Sequence, residues 1–227
     1  MLLRLIIKKA LEWNVLNSDY ALRAQDVSYS FGDLPVLQGV DLDLRWGTVT
    51  AIAGPNGAGK STLIEILAGV RAPQAGTVMR ADEVALVVQR VATPDALPLT
   101  VHDVVLMGTW GASSRPSSRI GATERKDRVA EALDRVQLAS LADAPFGSLS
   151  GGQRQRALLA QGIARHARIF LLDEPAAGLD AESRKRTRAM LAEEARRGVA
   201  VACVSHDQDS IAAADYVVTL DAGRRLS

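Results

Sequence analysis

A glycine-rich turn between an apolar run and a helix-forming run constrains this sequence more than any other feature. Residues Thr48–Ala53 are apolar and β-branched, and residues Gly54–Ser61 read GPNGAGKS. A short continuous apolar run suits a strand that is buried on both faces of a parallel sheet. The run that follows, Ser61–Val70, has a helix-forming composition. The order of strand, glycine turn and helix predicts an α/β fold around this segment.

Further runs repeat the alternation of strand and helix. Ile169–Leu172 and Val199–Val204 are also short and apolar. A helix predicted over Glu182–Arg197 ends at Gly198, a typical C-terminal cap. Weaker strand signals cover Leu22–Val27, Val84–Val88 and Tyr216–Leu220. Strands that alternate with helices in this way predict a mostly parallel sheet flanked by helices.

The middle of the chain, residues 92–162, lacks this alternation. It contains two helix-like segments, Val101–Met107 and Thr123–Val136, separated by a polar loop with Gly and Pro at turn positions. No run within it is typical of a strand. We therefore predict a helical subdomain over residues 92–162, inserted into an α/β domain of residues 20–227.

Composition limits the class of protein. With 227 residues, 48% hydrophobic residues and a formal net charge of +1, the sequence fits one globular domain. It excludes a collagen-like repeat and a disulfide scaffold, and its near-neutral charge argues against nucleic acid as a partner. The single cysteine, Cys203, indicates a reducing compartment and a small buried apolar residue. No uncharged apolar run is long enough to span a bilayer, and we assign residues 1–19 to an N-terminal extension.

The glycine turn matches the phosphate-binding pattern G-x-x-x-x-G-K-[ST] at every fixed position. Glycines let the backbone wrap so that its N–H groups point at phosphate oxygens, and the following helix adds its positive N-terminal end. Lys60 is predicted to reach the β- and γ-phosphates of a nucleotide, and the Ser61 hydroxyl to ligate Mg²⁺. The predicted nucleotide-binding residues of this turn are Gly54, Pro55, Asn56, Gly57, Ala58, Gly59, Lys60, Ser61 and Thr62.

A second motif ends the apolar run Ile169–Leu172 with two carboxylates, Asp173 and Glu174. Apolar runs that end in acids are common, so this motif gains its meaning from the phosphate-binding pattern elsewhere in the chain. Asp173 is predicted to hold Mg²⁺, as the second motif of ATPases with this phosphate-binding pattern requires. Glu174 is predicted to polarise the water that attacks the terminal phosphate.

The segment Leu149–Gln153 reads LSGGQ, the signature sequence of the ATP-binding-cassette (ABC) ATPases. A serine at this position is able to cap a helix, and two glycines expose backbone N–H groups to an anion. Residues 20–225 resemble that family, which implies that this helix start touches the γ-phosphate on the opposite subunit. The residues concerned are Ser150, Gly151, Gly152 and Gln153.

Other positions match the family one by one. Gln89 resembles the glutamine that contacts Mg²⁺ or water and links the nucleotide to the helical subdomain. Ala177–Asp180 resembles the D-loop, which crosses the dimer interface, and His206 resembles the switch histidine near the γ-phosphate. Phe31 lies at the usual spacing for the ring that stacks on adenine, and Tyr29 stays a second candidate. The family also implies an antiparallel β portion on the N-terminal side. The catalytic residues that the resemblance implies are Glu174, His206, Lys60 and Gln89.

The resemblance implies an ATP-hydrolysing subunit that uses ATP and Mg²⁺ and forms a head-to-tail homodimer in its ATP-bound state. Transport would require separate integral membrane permease subunits, with this chain at the cytoplasmic face of a bacterial cell membrane. Residues 87–110 resemble the ATPases of metal-ion importers, zinc first and manganese second. Such a system implies an extracytoplasmic metal-binding protein as an indirect partner.

An ABC ATPase that does not transport is the alternative. Translation types carry two cassettes in one chain, and DNA-repair types carry coiled-coil or zinc insertions that this sequence lacks. An iron–sulfur assembly ATPase has a compatible length and stays open. A P-loop kinase or GTPase is excluded by Leu149–Gln153, which neither requires.

Two further predictions concern the surface. The segment Arg184–Arg197 alternates Arg with Glu and is predicted to form a solvated face. Trp13, Trp46 and Trp110 are predicted to be packing residues, with Trp110 close to the expected partner surface.

Overall fold

A computed structural model describes residues 19–87, 98–110 and 120–226 of the chain. The strands in these ranges are β1 (Tyr20–Phe31), β2 (Leu34–Arg45), β3 (Val49–Ala53), β4 (Ala75–Arg80), β5 (Val84–Val87), β6 (Ile169–Asp173), β7 (Ala200–Val204), β8 (Tyr216–Asp221) and β9 (Arg224–Leu226). The helices are α1 (Lys60–Ala68), α2 (Val101–Met107), α3 (Ala122–Arg135), α4 (Gly151–Ala164), α5 (Ala181–Arg196) and α6 (Gln208–Ala212).

The larger sheet has the strand order β5-β6-β7-β3-β8-β9, and its neighbouring strands are parallel except for β8 and β9. Its register pairs Val204 with both Ile52 and Asp173. The carboxyl ends of β3, β7 and β6 therefore reach the same edge of the sheet. The predicted α/β fold with a mostly parallel sheet is confirmed.

The smaller sheet, with the order β2-β1-β4, is antiparallel, which confirms the β portion implied for the N-terminal side. Sequence reasoning did not identify β2 as a strand. Val40, Leu42 and Leu44 are buried, whereas Asp41 and Asp43 between them are exposed. This alternation is the ordinary signal of a strand with one buried face, so β2 was predictable from its pattern.

Two hydrophobic layers enclose the larger sheet. In β6, Ile169 and Leu171 pack with α1 and the antiparallel sheet, whereas Phe170 and Leu172 pack with α2 to α5 on the opposite face. All four side chains are at most 1% exposed. The strand is buried on both faces, as its continuous apolar run predicted.

The helices α2, α3 and α4 lie in the region predicted to be a helical insertion, and α4 continues to Ala164, just past the predicted limit. Thr100 begins α2 with a capping box, since its hydroxyl accepts from the Asp103 N–H and Asp103 accepts from the Thr100 N–H. Within the described part of this region, β pairing is confined to an isolated bridge between Thr100 and Pro145.

The prediction that Arg184–Arg197 forms a solvated face is wrong in part. Glu194 is only 5% exposed and forms an ion pair with Arg135 at the end of α3. Arg188 bonds Asp207 at 2.9 Å, on the loop after β7. Charge alternation could not reveal these partners because both lie far away along the sequence.

Isolated large side chains differ in how they are placed. Trp110 is 55% exposed, so the prediction that it packs is wrong; it follows the end of α2 and lies beyond the helix face that meets the core. Trp46 is partly buried, with the Arg168 guanidinium 4.5 Å from its ring centroid. Trp13 lies outside the described residues.

Cys203 lies in β7 and is 4% exposed, as predicted, and burial raises the pKa of its thiol to about 11.

Of the helices in the described ranges, none combines the length and the apolarity needed to cross a bilayer.

The ion pair between Arg135 and Glu194 joins the helical region to α5. Glu194 accepts from Arg135 Nε at 3.1 Å and has a side chain that is 7% exposed. We expect Arg135→Ala to lower the free energy of unfolding by about 3–5 kcal/mol, because it leaves a buried carboxylate without its cation. Arg186→Ala is the matched control, since its ion pair with Glu182 is exposed and should be worth about 0.2–1 kcal/mol. Equal losses for the two variants in urea denaturation would contradict this interpretation.

Candidate nucleotide site

The glycine turn connects the end of β3 to the start of α1, as predicted. Gly54 has a φ of +141°, and a Cβ atom there would lie 2.0 Å from the Leu220 carbonyl oxygen in β8. Only glycine lets the backbone pass this close to the neighbouring strand. Gly59 caps α1 in the left-handed conformation without a side-chain bond to the helix. The first N–H groups of α1 thus have no side-chain acceptor at the cap, an arrangement that suits an anion.

Lys60 is held against the carbonyl groups of its own loop. Its Nζ donates to the Gly54 oxygen at 2.8 Å and to the Pro55 oxygen at 2.7 Å, and the residue is 6% exposed. Burial lowers the pKa of the ammonium group, whereas the carboxylates of Glu174 and Asp173 raise it. The turn therefore keeps a nearly buried cation beside two acids.

Asp173 is the last residue of β6 and is partly buried. Burial raises the pKa of its carboxyl group, a side-chain hydrogen bond with Ser61 lowers it, and the charge of Glu174 raises it again. Its Oδ1 atom is buried and has no hydrogen-bond partner in the part of the chain that the structure describes. Mg²⁺ is bound by hard oxygen ligands such as carboxylates. An unsatisfied carboxylate oxygen next to a hydroxyl group therefore fits this ion.

Glu174 follows β6 with a φ of +50°, a left-handed conformation that few residues other than glycine adopt. Its Oε1 atom lies 3.0 Å from Nε2 of His206, which follows β7. The side chains are 30% and 42% exposed. A carboxylate and an imidazole that both reach solvent at a sheet edge are able to take part in proton transfer.

The loop that carries His206 is held by Asp207. This carboxylate accepts from the Ser210 N–H at 2.9 Å, which caps α6, and from Arg188 Nη1 at 2.9 Å. The Ser210 hydroxyl bond is the largest of the contacts that lower the pKa of Asp207. Sequence reasoning missed Arg188, since it lies on α5 and no motif connects it to the loop. Its bond shows that α5 helps to position the histidine loop.

The signature segment begins α4 as predicted. The Ser150 hydroxyl accepts from the Gln153 N–H at 3.3 Å, and the Gln153 side chain accepts from the Ser150 N–H at 2.9 Å. Gly152 is buried, and a Cβ atom on it would lie 2.6 Å from the hydroxyl oxygen of Ser183 on α5. Sequence reasoning missed Ser183, which no motif marks.

The two candidate stacking rings touch each other. The centroids of Tyr29 and Phe31 are 5.1 Å apart at an interplanar angle of 76°. The Tyr29 hydroxyl accepts from Arg71 at 2.8 Å, and its ring packs against the core, whereas Phe31 is 49% exposed. Arg71 lies 5.0 Å from both centroids and is a further residue that sequence reasoning did not identify. Phe31 is thus the ring with the more open surface.

The structure brings five predicted residues to one edge of the larger sheet. They lie at the end of β6, in the residues just after β6 and β7, or at the start of α1, which the glycine turn joins to β3: Lys60, Ser61, Asp173, Glu174 and His206. Gln89 lies outside the described residues, so its predicted contact with Mg²⁺ stays a prediction.

Comparison with known proteins identifies the family. Residues 37–177 match the family model described as ABC transporter. A hemin import ATP-binding protein of Streptomyces coelicolor is 41% identical over 210 residues, which are 85% of this chain and 72% of that protein. A zinc transport system ATP-binding protein of Treponema pallidum is 35% identical over 204 residues, which are 85% of this chain and 75% of that protein.

Solved structures agree with the sequence relatives. A structure described as a metal-chelate type ABC transporter in an inward-facing conformation superposes with a TM-score of 0.82 at 29% identity. The match covers 92% of this chain and 82% of that one. Further relatives carry names for manganese transport and for sulfate or thiosulfate import. The relatives thus agree on the kind of subunit and differ in the cargo they are named for.

We expect the buried Oδ1 atom of Asp173, unpaired among the described residues, to lower the stability of the chain when no ligand is bound. We expect Asp173→Asn to raise the free energy of unfolding by about 1 kcal/mol in the absence of Mg²⁺ and nucleotide, because it removes a partly buried charge at constant shape. Asp134→Asn, at an exposed position on α3, is the control and should change it by less than about 0.5 kcal/mol. Urea denaturation of both variants measures the difference. A loss of stability in Asp173→Asn would show that the carboxylate is well satisfied without a cation.

Proposed function

The chain belongs to the ABC transporter family and is an import ATPase, and we propose that it drives uptake of a metal species through separate membrane permease subunits. The observation that supports ATP hydrolysis as the energy source is the meeting of Lys60, Asp173, Glu174 and His206 at one sheet edge. A phosphate-binding cation, a carboxylate suited to Mg²⁺ and a proton acceptor are the parts that hydrolysis of ATP requires.

In the proposed hydrolysis step, a water molecule attacks the γ-phosphorus of ATP while the bond between that phosphorus and the β–γ bridging oxygen breaks. Glu174 accepts the proton of that water, and ADP and inorganic phosphate are the products. His206 lies 3.0 Å from the Glu174 carboxylate and orients both that group and the γ-phosphate. A positioned base of this kind contributes a factor of about 10²–10⁴ to the rate.

The nucleotide is held by the glycine turn and an aromatic ring. Lys60 exchanges its bonds to the loop carbonyl groups for the β- and γ-phosphates. Ser61 and Asp173 would hold Mg²⁺, with Gln89 as a further ligand, and the bound ion would neutralise charge at the transferred phosphate. Phe31 stacks on adenine, a role that its 49% exposure supports over the more buried Tyr29.

Two copies of the chain close head to tail when ATP is bound. The start of α4, capped by Ser150, offers backbone N–H groups to the γ-phosphate on the other copy. Each site therefore takes its glycine turn, acids and histidine from one chain and its signature segment from the other.

The membrane permease is proposed to bind the helical subdomain of this chain, which would lie at the cytoplasmic face of the membrane. We expect a permease helix to dock near Gln89 and residues 97–111, of which the structure describes residues 98–110, and Trp110 there is 55% exposed. Exposed tryptophans are enriched at protein–protein contacts. The exposure of Trp110 supports a role as a contact for a membrane subunit.

Zinc is the first candidate cargo and manganese the second. The resemblance of residues 87–110 to metal-ion importers supports this assignment, as does the relative named for zinc transport. A metal chelate is a further candidate of a different chemical class, favoured by the 41% identity to a hemin import protein and by the metal-chelate type structure. In each case an extracytoplasmic protein that binds the cargo completes the system.

Removal of the proposed base tests the hydrolysis step. We expect Glu174→Gln to bind Mg·ATP, to accumulate as a dimer and to lose turnover by a factor of about 10²–10⁴. Glu182→Gln is the matched control, because Glu182 is exposed on α5 and pairs only with Arg186 in the described structure. Phosphate release and size-exclusion chromatography with ATP provide the two measurements. Turnover near that of the unchanged protein in Glu174→Gln would refute the role given to Glu174.

Uptake in the host cell tests the cargo. Deletion of the coding sequence should abolish high-affinity uptake of radioactive zinc, and the unchanged protein but not Glu174→Gln should restore it. Loss of heme uptake with normal zinc uptake would assign the cargo to a metal chelate instead. Normal uptake of both, together with active ATPase that does not sediment with membranes, would favour the iron–sulfur assembly alternative.

A further inference from the structure

We propose that Ser183 is a positioning residue that joins the D-loop of one chain to the signature helix of the same chain, and so couples the two ATP sites of the dimer. The proposal rests on the head-to-tail arrangement given under the proposed function. In that arrangement Glu174 serves a chain's own site, whereas its signature segment serves the other site. A rigid contact between the two parts would transmit a change in one site to the other.

The first observation is the close approach of α4 to α5 at Gly152. A Cβ atom on Gly152 would lie 2.6 Å from the hydroxyl oxygen of Ser183 and 2.9 Å from its Cβ atom. Real Cβ contacts below 3.0 Å are essentially absent, so this position tolerates only glycine while Ser183 stays in place. Gly152, whose N–H group is predicted to face an anion, thus also permits a packed contact within the chain.

Ser183 is itself fixed to the D-loop. Its N–H donates to Asp180 Oδ1 at 2.8 Å, and its hydroxyl donates to Asp180 Oδ2 at 2.7 Å. Asp180 thereby caps α5, and these bonds lower the pKa of its carboxyl group. On the next turn of the helix, the Thr187 hydroxyl donates to the Ser183 carbonyl oxygen at 3.0 Å. The serine cannot rotate away from Gly152 without losing its bond to Asp180.

The D-loop connects this serine to the proposed base by a short bonded path. The Ala177 N–H donates to the Glu174 carbonyl oxygen at 3.1 Å, and the Leu179 N–H donates to the Ala176 oxygen at 3.3 Å. Leu179 also lies against the signature, since a Cβ atom on Gly151 would be 3.3 Å from its Cδ2 atom. Both glycines of the signature therefore face residues of the D-loop or the helix that it caps.

One turn further along α4, the buried side chain of Gln155 is not fully hydrogen-bonded in the described structure. It is 7% exposed, and its amide nitrogen finds no hydrogen-bond partner among the described residues. A buried polar group without a partner raises the free energy of an arrangement and is a typical reserve of strain at functional sites. The packing of α4 is therefore tight at Gly152 and, within the described ranges, leaves one buried polar group unpaired a turn further along the helix.

A set of paired substitutions tests the contact. Gly152→Ala should lower kcat by up to about 10²-fold, because its methyl group displaces the signature helix. Ser183→Gly removes both atoms that the methyl group would meet, so Gly152→Ala/Ser183→Gly should recover the kcat of Ser183→Gly alone. Gly147→Ala is the matched control, because a Cβ atom there meets nothing within 4 Å, and it should leave kcat unchanged. A double variant as impaired as Gly152→Ala alone would overturn the assignment of Ser183.

The Hill coefficient of ATP hydrolysis distinguishes coupling between the two ATP sites from a contact that only stabilises the chain. The full-length chain should hydrolyse Mg·ATP with a Hill coefficient that approaches the number of sites, about 2. Ser183→Ala and Ser183→Gly should lower it toward about 1 while the ATP affinity of the monomer stays the same, because the sites then act independently. An unchanged Hill coefficient in these two variants would overturn the coupling, even where Gly152→Ala does not fold. Absence of any hydrolysis by the unchanged protein would instead refute the proposed function.

Discussion

Parallel backbone pairing among β3, β7 and β6 is the constraint on which the rest of this structure depends. Val204 pairs with Ile52 on one side and with Asp173 on the other, so three loops leave the sheet at one edge. A register slip of one residue would shift a strand end by about 3.3 Å and turn its side chains to the opposite face. Burial of β6 on both faces opposes such a slip, because each face carries large apolar side chains. Hydrophobic packing thus sets the distances among the polar groups of the site.

Local signals in the sequence predicted the parts of the fold that depend on local causes. The continuous apolar runs matched β3, β6 and β7 to within a residue or so, and the glycine turn and acid pair lie at their ends. β2 was missed although its alternation of buried and exposed residues was readable. The partners of Ser183 and Arg188 could not be predicted in this way. They depend on how helices pack in three dimensions, and neither residue belongs to a motif.

The helix α5 shows how a strongly charged segment becomes part of the framework. Ser183 contacts the signature helix, Arg188 bonds the histidine loop, and Glu194 forms an ion pair with Arg135 at the end of α3. These residues span about three helical turns, so a rotation of α5 would move all three contacts together. A charged face is therefore solvated only where no other element packs on it. In α5, tertiary contacts decide which charged side chains reach solvent, and the alternation of Arg and Glu in the sequence does not reveal these contacts.

The burial of Cys203 makes this protein convenient for spectroscopy. The sequence contains one cysteine, which is 4% exposed and whose thiol has a pKa raised to about 11. The thiolate is the nucleophile that attacks thiol reagents, so the raised pKa and the burial of Cys203 both oppose its reaction near neutral pH. A cysteine introduced at an exposed site such as Val70 or Leu34 would carry a spin label or fluorophore alone, with the native residue left in place. The signal of that label can then be followed in a chain whose buried thiol needs no replacement.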